Sequence, residues 1–516
     1  MRSPLDIPVV VEASAGVAKE RGSAELAPRL DALATELRRL DEQAARHEFA
    51  APAQARLLKS TISLCDLCLA HVPALVFEHD RKVLLHKRCP QHGLRKALLE
   101  NDAAYYRLSN KDRWGLRYAR DAVVNLPAFK ACCGASASAK PELQSRGAAR
   151  PDSTEQHDNK SCTVLVEVTD ACNLACRVCY ADSKGDRILP FAAFKEHIAR
   201  LVALKGSLDS IQITGGEASL HPQFWEMIDW LYRQDGVGKI YLPTNGIELS
   251  KQAIAKRLRP YRSKLLVLLQ FDGQSKETNS QLRGANTRKV RERLIRKLAR
   301  AGISMQLTMT LARGVSEDEV AWVVRQGIKH KHIRLIGMLP VFYSGRYDLE
   351  RNPLERMTLS DVAKGAAAGT GGKAVPADFM PIPCSHPNCG WATLFARRFG
   401  LFFNIARHVD LDAAMNDVAY KTVLDKGEMR ALVGSRRRGG WQRMLAALGR
   451  RLIRPRDVFG IAIKPFMDSF NYDQDRVSAC CHHTLDTEGA LVSFCEYNAR
   501  IREADPWTRL PKLENA

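Results

Sequence analysis

Cys172, Cys176 and Cys179 fall in the run Asp170-Ala-Cys-Asn-Leu-Ala-Cys-Arg-Val-Cys-Tyr180. Thiolates spaced by four and then three residues can grip three irons of a 4Fe-4S cubane. The fourth iron then has no protein ligand and is open to a small chelating molecule. The rival readings are a zinc loop or three unconnected buried thiols.

The chain holds 14 cysteines, more than one site needs. Cys65-x2-Cys68, followed 21 positions later by Cys89-Pro-Gln-His92-Gly93, has the spacing of a tetrahedral metal knuckle. Three sulfurs and one imidazole suit zinc, with a rubredoxin-like mononuclear iron as the rival. Eight cysteines remain: Cys132, Cys133, Cys162, Cys384, Cys389, Cys480, Cys481 and Cys495. That number equals two further four-ligand 4Fe-4S clusters. Adjacent pairs such as Cys132-Cys133 and Cys480-Cys481 strain against serving one cluster together, and His157, His386, His482 and His483 are substitutes.

The elements that position these groups follow from periodicity. Residues 163–169, 210–214, 239–243, 265–271, 304–309 and 333–337 are short apolar or alternating runs that predict strands. Segments 191–204, 223–233, 289–301 and 317–329 predict helices between them. Repeated β-α alternation predicts an α/β fold with a parallel sheet curved into a partial (β/α)6 barrel, whose chemistry sits at the carboxyl ends of the strands. Cys172, Cys176 and Cys179 follow the first strand. Gly215-Gly216-Glu217 ends the second, Thr244-Asn245-Gly246 the third, and Gln270-Phe-Asp272-Gly273 the fourth, with Arg283-Gly284 soon after. Polar groups at successive strand ends suit a ribose, adenine or carboxylate grip; Asp272 reads equally well as a helix N-cap.

A CxxxCxxC loop after the first strand, with a GGE at the end of the second, resembles the radical S-adenosylmethionine (SAM) superfamily over roughly residues 160–345. The resemblance implies that the amino and carboxylate groups of SAM chelate the open iron, with Glu217 and the neighbouring backbone holding the amino group. Reduction of the cluster by a flavodoxin or ferredoxin then yields a 5'-deoxyadenosyl radical that abstracts hydrogen. Cys89-Pro-Gln-His-Gly93, Asp378-Phe-Met-Pro-Ile-Pro-Cys384-Ser-His-Pro-Asn-Cys389, Phe466-Met-Asp468, Cys480-Cys481 and Phe494-Cys-Glu-Tyr-Asn498 narrow the likeness. They resemble the subgroup of archaeal tetraether lipid synthase and the class D radical SAM methyltransferases that modify a pterin. The subgroup's fuller Cys/His block before the barrel is reduced here to Ala131-Cys-Cys-Gly134 and residues 157–162. The resemblance implies carbon-carbon bond formation at an unactivated carbon, on a lipid chain, with C-methylation of a pterin-like heterocycle as the alternative.

A chain of 516 residues with 45% hydrophobic and 26% charged residues exceeds one core and reads as several folded units. The divisions expected are a tail and amphipathic helix over 1–55, a Cys/His knuckle over 56–110 and a linker with a Cys pair over 111–160. The core barrel takes 161–345, and a C-terminal auxiliary iron-sulfur region with a basic helix takes 346–516. Leu26, Leu30, Leu33, Leu37 and Leu40 share one helical face. The N-terminus carries no signal-peptide pattern, so the chain is expected in the cytoplasm, where thiols stay reduced. The net charge is +21, and residues 429–456 hold nine arginines with no acidic residue. Trp441, Met444, Leu445 and Ile453 lie among them, a pattern suited either to a solvated helix or to the surface of an anionic membrane. A nucleic-acid-binding or RNA-modifying metalloprotein is the reading from another class, disfavoured because no aromatic-basic stacking motif accompanies the cysteines.

Overall fold

The computed structural model describes residues 26–108, 161–183, 185–251, 254–382, 384–398, 400–408 and 454–515. The expectations for the N-terminal tail, for Cys132, Cys133 and His157, and for the arginine-rich run over 429–453 lie outside these residues.

The leucine-striped segment forms the helix Leu26–Arg39. It buries Leu26, Leu30, Ala34 and Leu37 against Leu57, Ile62, Leu75 and Phe77. These partners belong to an antiparallel meander of β1 (Arg56–Leu64), β2 (His71–His79), β3 (Lys82–Cys89) and β4 (Gly93–Glu100). The knuckle cysteines therefore stand at the turns of a small sheet, which the sequence reading did not anticipate. β1 is buried along nearly its whole length, so it shows no clean two-residue alternation.

Each of the six strands expected for the barrel is present. β5 (Thr163–Thr169) leads into the cysteine loop, which contains the two-residue β6 (Val178–Cys179). β7 (Leu208–Gly215), β8 (Val237–Thr244), β9 (Leu265–Gln270), β10 (Ser304–Leu311) and β11 (Ile333–Pro340) follow. All pair in parallel in the order β5-β7-β8-β9-β10-β11. Helices Phe191–Lys205, Phe224–Arg233, Arg288–Arg300 and Val320–Lys329 cover the outside.

Beyond β11 the chain continues the same sheet. β12 (Arg346–Tyr347) pairs with β6, while β13 (Met380–Pro381), β14 (Trp391–Arg398) and β15 (Leu401–Asn404) form an antiparallel flank. β16 (Val458–Ile463) adds to β11 in parallel, and β17 (His482–Leu485) adds in parallel to the opposite edge, beside β5; β18 (Leu491–Ser493) closes that edge. The region whose sequence loses the β-α rhythm thus supplies one parallel strand to each edge of the barrel sheet.

Side chains divide by the two-residue alternation of the strands. Ile211, Ile213, Ile240, Leu242, Val267, Leu269, Met305, Leu307 and Met309 face the helices and form one core. Gln212, Tyr241, Gln270, Gln306 and Thr308 face inward and line a cavity of about 610 Å³. The barrel interior is a binding space in which these polar groups interleave with Leu165, Leu268, Leu335 and Leu339.

The N-terminal sheet is fastened to the barrel body by buried charges. Lys59 Nζ lies 2.7 Å from Asp473 and 2.5 Å from Asp475, and the Thr61 hydroxyl donates to Asp473 at 2.8 Å. Lys87 Nζ donates to the carbonyls of Leu64 and Ser469. Removing one partner of a buried pair leaves the other uncompensated. Lys59→Ala should therefore lower unfolding free energy by about 3–5 kcal/mol in a urea titration, whereas native-like stability would show that the clamp carries little.

Candidate active site and metal centres

The cysteine loop is held by backbone on two sides. On one, the Gly216 amide donates to the Thr169 carbonyl at 2.8 Å and the Glu217 amide to the Ala171 carbonyl at 2.9 Å. A Cβ at Gly215, whose φ is +123°, would stand 2.1 Å from the Thr169 carbonyl oxygen, and one at Gly216 would stand 2.1 Å from that of Ala171. Only glycine lets the end of β7 approach the loop so closely. On the other side, β12 pairs with β6, Arg346 Nε donates to the Cys176 carbonyl at 2.6 Å, and the Asp348 amide donates to that of Arg177 at 2.9 Å. Gly345–Asp348 was not singled out from the sequence; the left-handed Gly345 packed against the Cys179 and Tyr180 carbonyls is the signal that could have marked it.

Cys172 and Cys179 are half-buried and Cys176 is buried. Burial pushes the Cys172 thiol up to about 11, helped by the negative neighbours Glu217, Cys176 and Cys179. Burial raises the Cys176 thiol too, with the Arg283 guanidinium opposing it. Three thiolates held together are thus unfavourable unless a cation or metal faces them. Arg283 supplies part of that charge. Its Nε and Nη2 donate to the two oxygens of Asp272 at 2.8 and 2.7 Å, Nη2 also reaches Thr310 at 2.6 Å, and Nη1 reaches the Val178 carbonyl at 3.2 Å. Arg291 closes the network, donating to Asp272 at 3.4 Å, to Gln270 at 3.1 Å and to the Asn245 carbonyl at 3.3 Å.

Cys172, Cys176, Cys179, Gly215, Gly216, Glu217, Asn245, Gln270 and Arg283 all line the barrel cavity. Asp272 does not. Its carboxylate is fully buried against the two arginines, and the N-cap of the following helix is Ser275, which accepts from the amides of Glu277 and Thr278. Glu217 is buried, with its carboxylate accepting from Ser219 Oγ at 2.7 Å, Thr244 Oγ1 at 2.9 Å and the Asn245 amide at 2.9 Å. Burial raises its pKa while these bonds pull it back. Asn245 donates to Asn173 Oδ1 at 2.8 Å and so ties the third strand's end to the cysteine loop.

At the N-terminal sheet, Cys65, Cys68, Cys89 and His92 present their ligand atoms within 4.8 Å of one another. The Cys68–Cys89 sulfur separation is 3.8 Å, and His92 Nδ1 lies 3.5 Å from Cys65 Sγ and 3.4 Å from Cys89 Sγ. A tetrahedral zinc with bonds of about 2.3 Å to sulfur and about 2.0 Å to nitrogen needs separations of roughly 3.8 and 3.5 Å, so the donors fit. Asp66, between the first two cysteines, is buried and held by Arg95 at 2.6 Å and Lys87 at 3.3 Å, which fixes the knuckle.

A family profile described as the radical SAM superfamily matches residues 166–326, and one described as the HMPTM N-terminal zinc ribbon domain matches residues 57–101. The chain is a radical SAM enzyme. It is similar to the 7,8-dihydro-6-hydroxymethylpterin dimethyltransferase of Methanocaldococcus jannaschii, at 26% identity over 88% of this chain and 98% of that protein. It is also similar to the GTP 3',8-cyclase of Syntrophomonas wolfei, at 26% identity over 36% of this chain and 58% of that protein. Among solved structures, Streptococcus suis SuiB bound to S-adenosylmethionine aligns over 41% of this chain and 47% of its own, at 16% identity and a TM-score of 0.35. A radical SAM enzyme uses a 4Fe-4S cluster and SAM, and the N-terminal sheet is a zinc ribbon.

The remaining described cysteines of this radical SAM enzyme separate into two groups. Cys162, Cys384 and Cys481 are buried with their sulfurs within 4.8 Å of one another. Cys389, Cys480 and Cys495 form a looser set. Burial pushes the Cys480 thiol up to about 11, with Cys389 adding to the rise, and burial plus Cys480 and Cys389 raise that of Cys495 further. Arg476 Nε donates to Cys389 Sγ at 3.4 Å. The adjacent Cys480 and Cys481 thus serve different groups, as do Cys384 and Cys389. The tight group fits an auxiliary cluster or a single metal ion. Of the histidines considered as substitutes, His483 Nδ1 pairs with Ser161 Oγ at 2.9 Å, His386 Nδ1 accepts from the Asn388 amide at 3.2 Å, and His482 packs against the rings of Phe466 and Phe494.

Two outcomes follow for these centres. Anaerobically purified protein should carry about one zinc per chain by elemental analysis, and Cys89→Ser should lose it; a full zinc complement in that variant would contradict the assignment. Arg283 and Arg291 hold the Asp272 carboxyl below its usual value against the upward pull of burial. Their stabilisation is complete above the unfolded carboxylate pKa of about 3.9 and is lost as pH falls through the lower folded value. Arg283→Gln should therefore move the acid-unfolding midpoint to higher pH, and an unchanged midpoint would sink the account of this pair.

Proposed function

We propose that this radical SAM enzyme forms a carbon-carbon bond by C-methylation of a small planar heterocycle, similar to a pterin, bound in the barrel cavity. The observation that carries the reading is the wall of Gln212, Tyr241, Gln270, Gln306 and Thr308 facing inward from β7 to β10. Amide and hydroxyl groups that both donate and accept match the edge of a nitrogen heterocycle. Likeness along 98% of a pterin dimethyltransferase supports it.

In this reading Cys172, Cys176 and Cys179 hold the catalytic cluster. When bound, cluster and SAM supply a radical able to remove hydrogen from an unactivated carbon. Gly215 and Gly216 bring backbone to the SAM site, and Glu217 accepts a hydrogen bond from its amino group. Asn245, Gln270 and Arg283 contact its remaining polar atoms. Asp272 is a positioning residue for Arg283. Cys162, Cys384 and Cys481, and separately Cys389, Cys480 and Cys495, hold auxiliary 4Fe-4S clusters, with Cys132 and Cys133 as further ligands. A flavodoxin or ferredoxin is the reductant.

A second reading, coupling of lipid chains, draws support from the apolar side of the same cavity, where Leu335, Leu339, Phe342, Leu394, Phe466 and Phe494 gather. The membrane contact expected from the arginine-rich run has no support among the described residues, and no helix there is long and apolar enough to cross a membrane.

Mass spectrometry of the product separates the two readings whichever donor supplies the methyl. Incubation of the reduced enzyme and SAM with a dihydropterin in extract of the native organism should give a C-methylated pterin; coupled lipid chains with no methylated pterin would contradict methylation. Iron analysis checks the cluster assignments: about twelve irons per chain are expected after anaerobic reconstitution, falling to about eight when Cys172, Cys176 and Cys179 are all replaced by alanine. A native plateau at about four irons would remove the auxiliary clusters.

A further inference from the structure

One cavity residue outside the thiol groups is a lysine. β16 ends at Ile463, and Lys464 extends it, its amide donating to the Met338 carbonyl at 3.0 Å. The alternation that sends Ile461 and Ile463 into the apolar core sends Ala462 and Lys464 to the cavity wall. Gly337, Ala392 and Ala462 also line this wall, with the Gln306 side-chain amide lying over Gly337.

Among the described residues Lys464 makes no hydrogen bond or ion pair through its ammonium. Glu217, the carboxylate among the lining residues, is committed to Ser219, Thr244 and Asn245. Lys464 stands within electrostatic reach of Cys384 and Cys480, and neither fills its donors. The ammonium is open to the cavity and presents three N–H groups that an acceptor on a ligand can take. A charged acceptor inside a cavity forms the stronger kind of hydrogen bond.

We propose that Lys464 is an anion subsite of the substrate cavity: it binds a phosphate or carboxylate carried by the substrate and thereby sets which end of that substrate faces Cys172, Cys176 and Cys179. The inference rests on the barrel cavity being the substrate site. It is independent of whether the rest of the substrate is a heterocycle or a lipid, since both can carry such a group.

Calorimetric titration of the cluster-reconstituted, SAM-loaded enzyme tests it with three probes. These are inorganic pyrophosphate, a dihydropterin phosphate monoester beside its neutral alcohol, and a short-chain phosphatidylglycerol below its micelle concentration. Pyrophosphate should bind the native enzyme and Lys464→Arg, and Lys464→Met should weaken it by at least about tenfold. Lys464→Gln repeats the comparison if the methionine variant does not reach the native iron content. The tighter of the ester and the phospholipid names the source of the anion. Equal pyrophosphate affinity in native and Lys464→Met enzyme, or none in the native enzyme, overturns the subsite. Lys464-dependent pyrophosphate binding with no binding of either pterin overturns the heterocycle reading and leaves the subsite standing.

Discussion

The structure depends on one constraint: alternate residues of a parallel strand must face opposite ways, and in this barrel the two ways are chemically different. Isoleucine, leucine, valine and methionine face the helices, which stabilises the sheet by apolar burial. Glutamine, threonine and tyrosine face inward, interleaved with Leu165, Leu268, Leu335 and Leu339. Because this inward side lines a cavity, the groups at the strand ends converge on one space. The cysteine loop, the GGE segment and the Asn245 turn all meet there.

That convergence creates an electrostatic difficulty. Three thiols and Glu217 crowd one end of the cavity, and burial disfavours charge on Cys172, Cys176 and Glu217. The answer lies in the arginines. Asp272, itself excluded from the cavity, aims Arg283 at the Cys176 side of the loop, while Arg291 links Asp272 to Gln270 and Asn245. A carboxylate outside the cavity can therefore matter to the site by fixing a guanidinium that lines it. The zinc ribbon has a comparable indirect part: Lys59 fastens Asp473 and Asp475, and the helix Gln474–Ser478 that follows carries Arg476 to Cys389.

Much of this was legible in the sequence. The six barrel strands were readable because each is a short apolar or alternating run, and because helical periods separate most of them. The GGE and cysteine spacings were readable because close backbone approach and cluster ligation require those residue types. β16 and β17 were not, since their partners β11 and β5 lie more than a hundred residues away and no local pattern announces such pairing. Nor was the sorting of the late cysteines. Cys480 and Cys481 are neighbours in the chain, yet their side chains serve different groups, a division that only the folded backbone decides. Asp272 looked like a cap because aspartate before a helix commonly is one; Ser275 lies closer to the helix start and takes that role.

The central claim is that the Cys172 loop and the cavity beneath it make this chain a generator of a SAM-derived radical. The direct measurement is 5'-deoxyadenosine formed from SAM by the anaerobically reconstituted, dithionite-reduced enzyme, followed by chromatography. The account expects its formation by the native enzyme and its loss in Cys176→Ala. No 5'-deoxyadenosine from protein with an intact cluster, or equal amounts from Cys176→Ala, would contradict it.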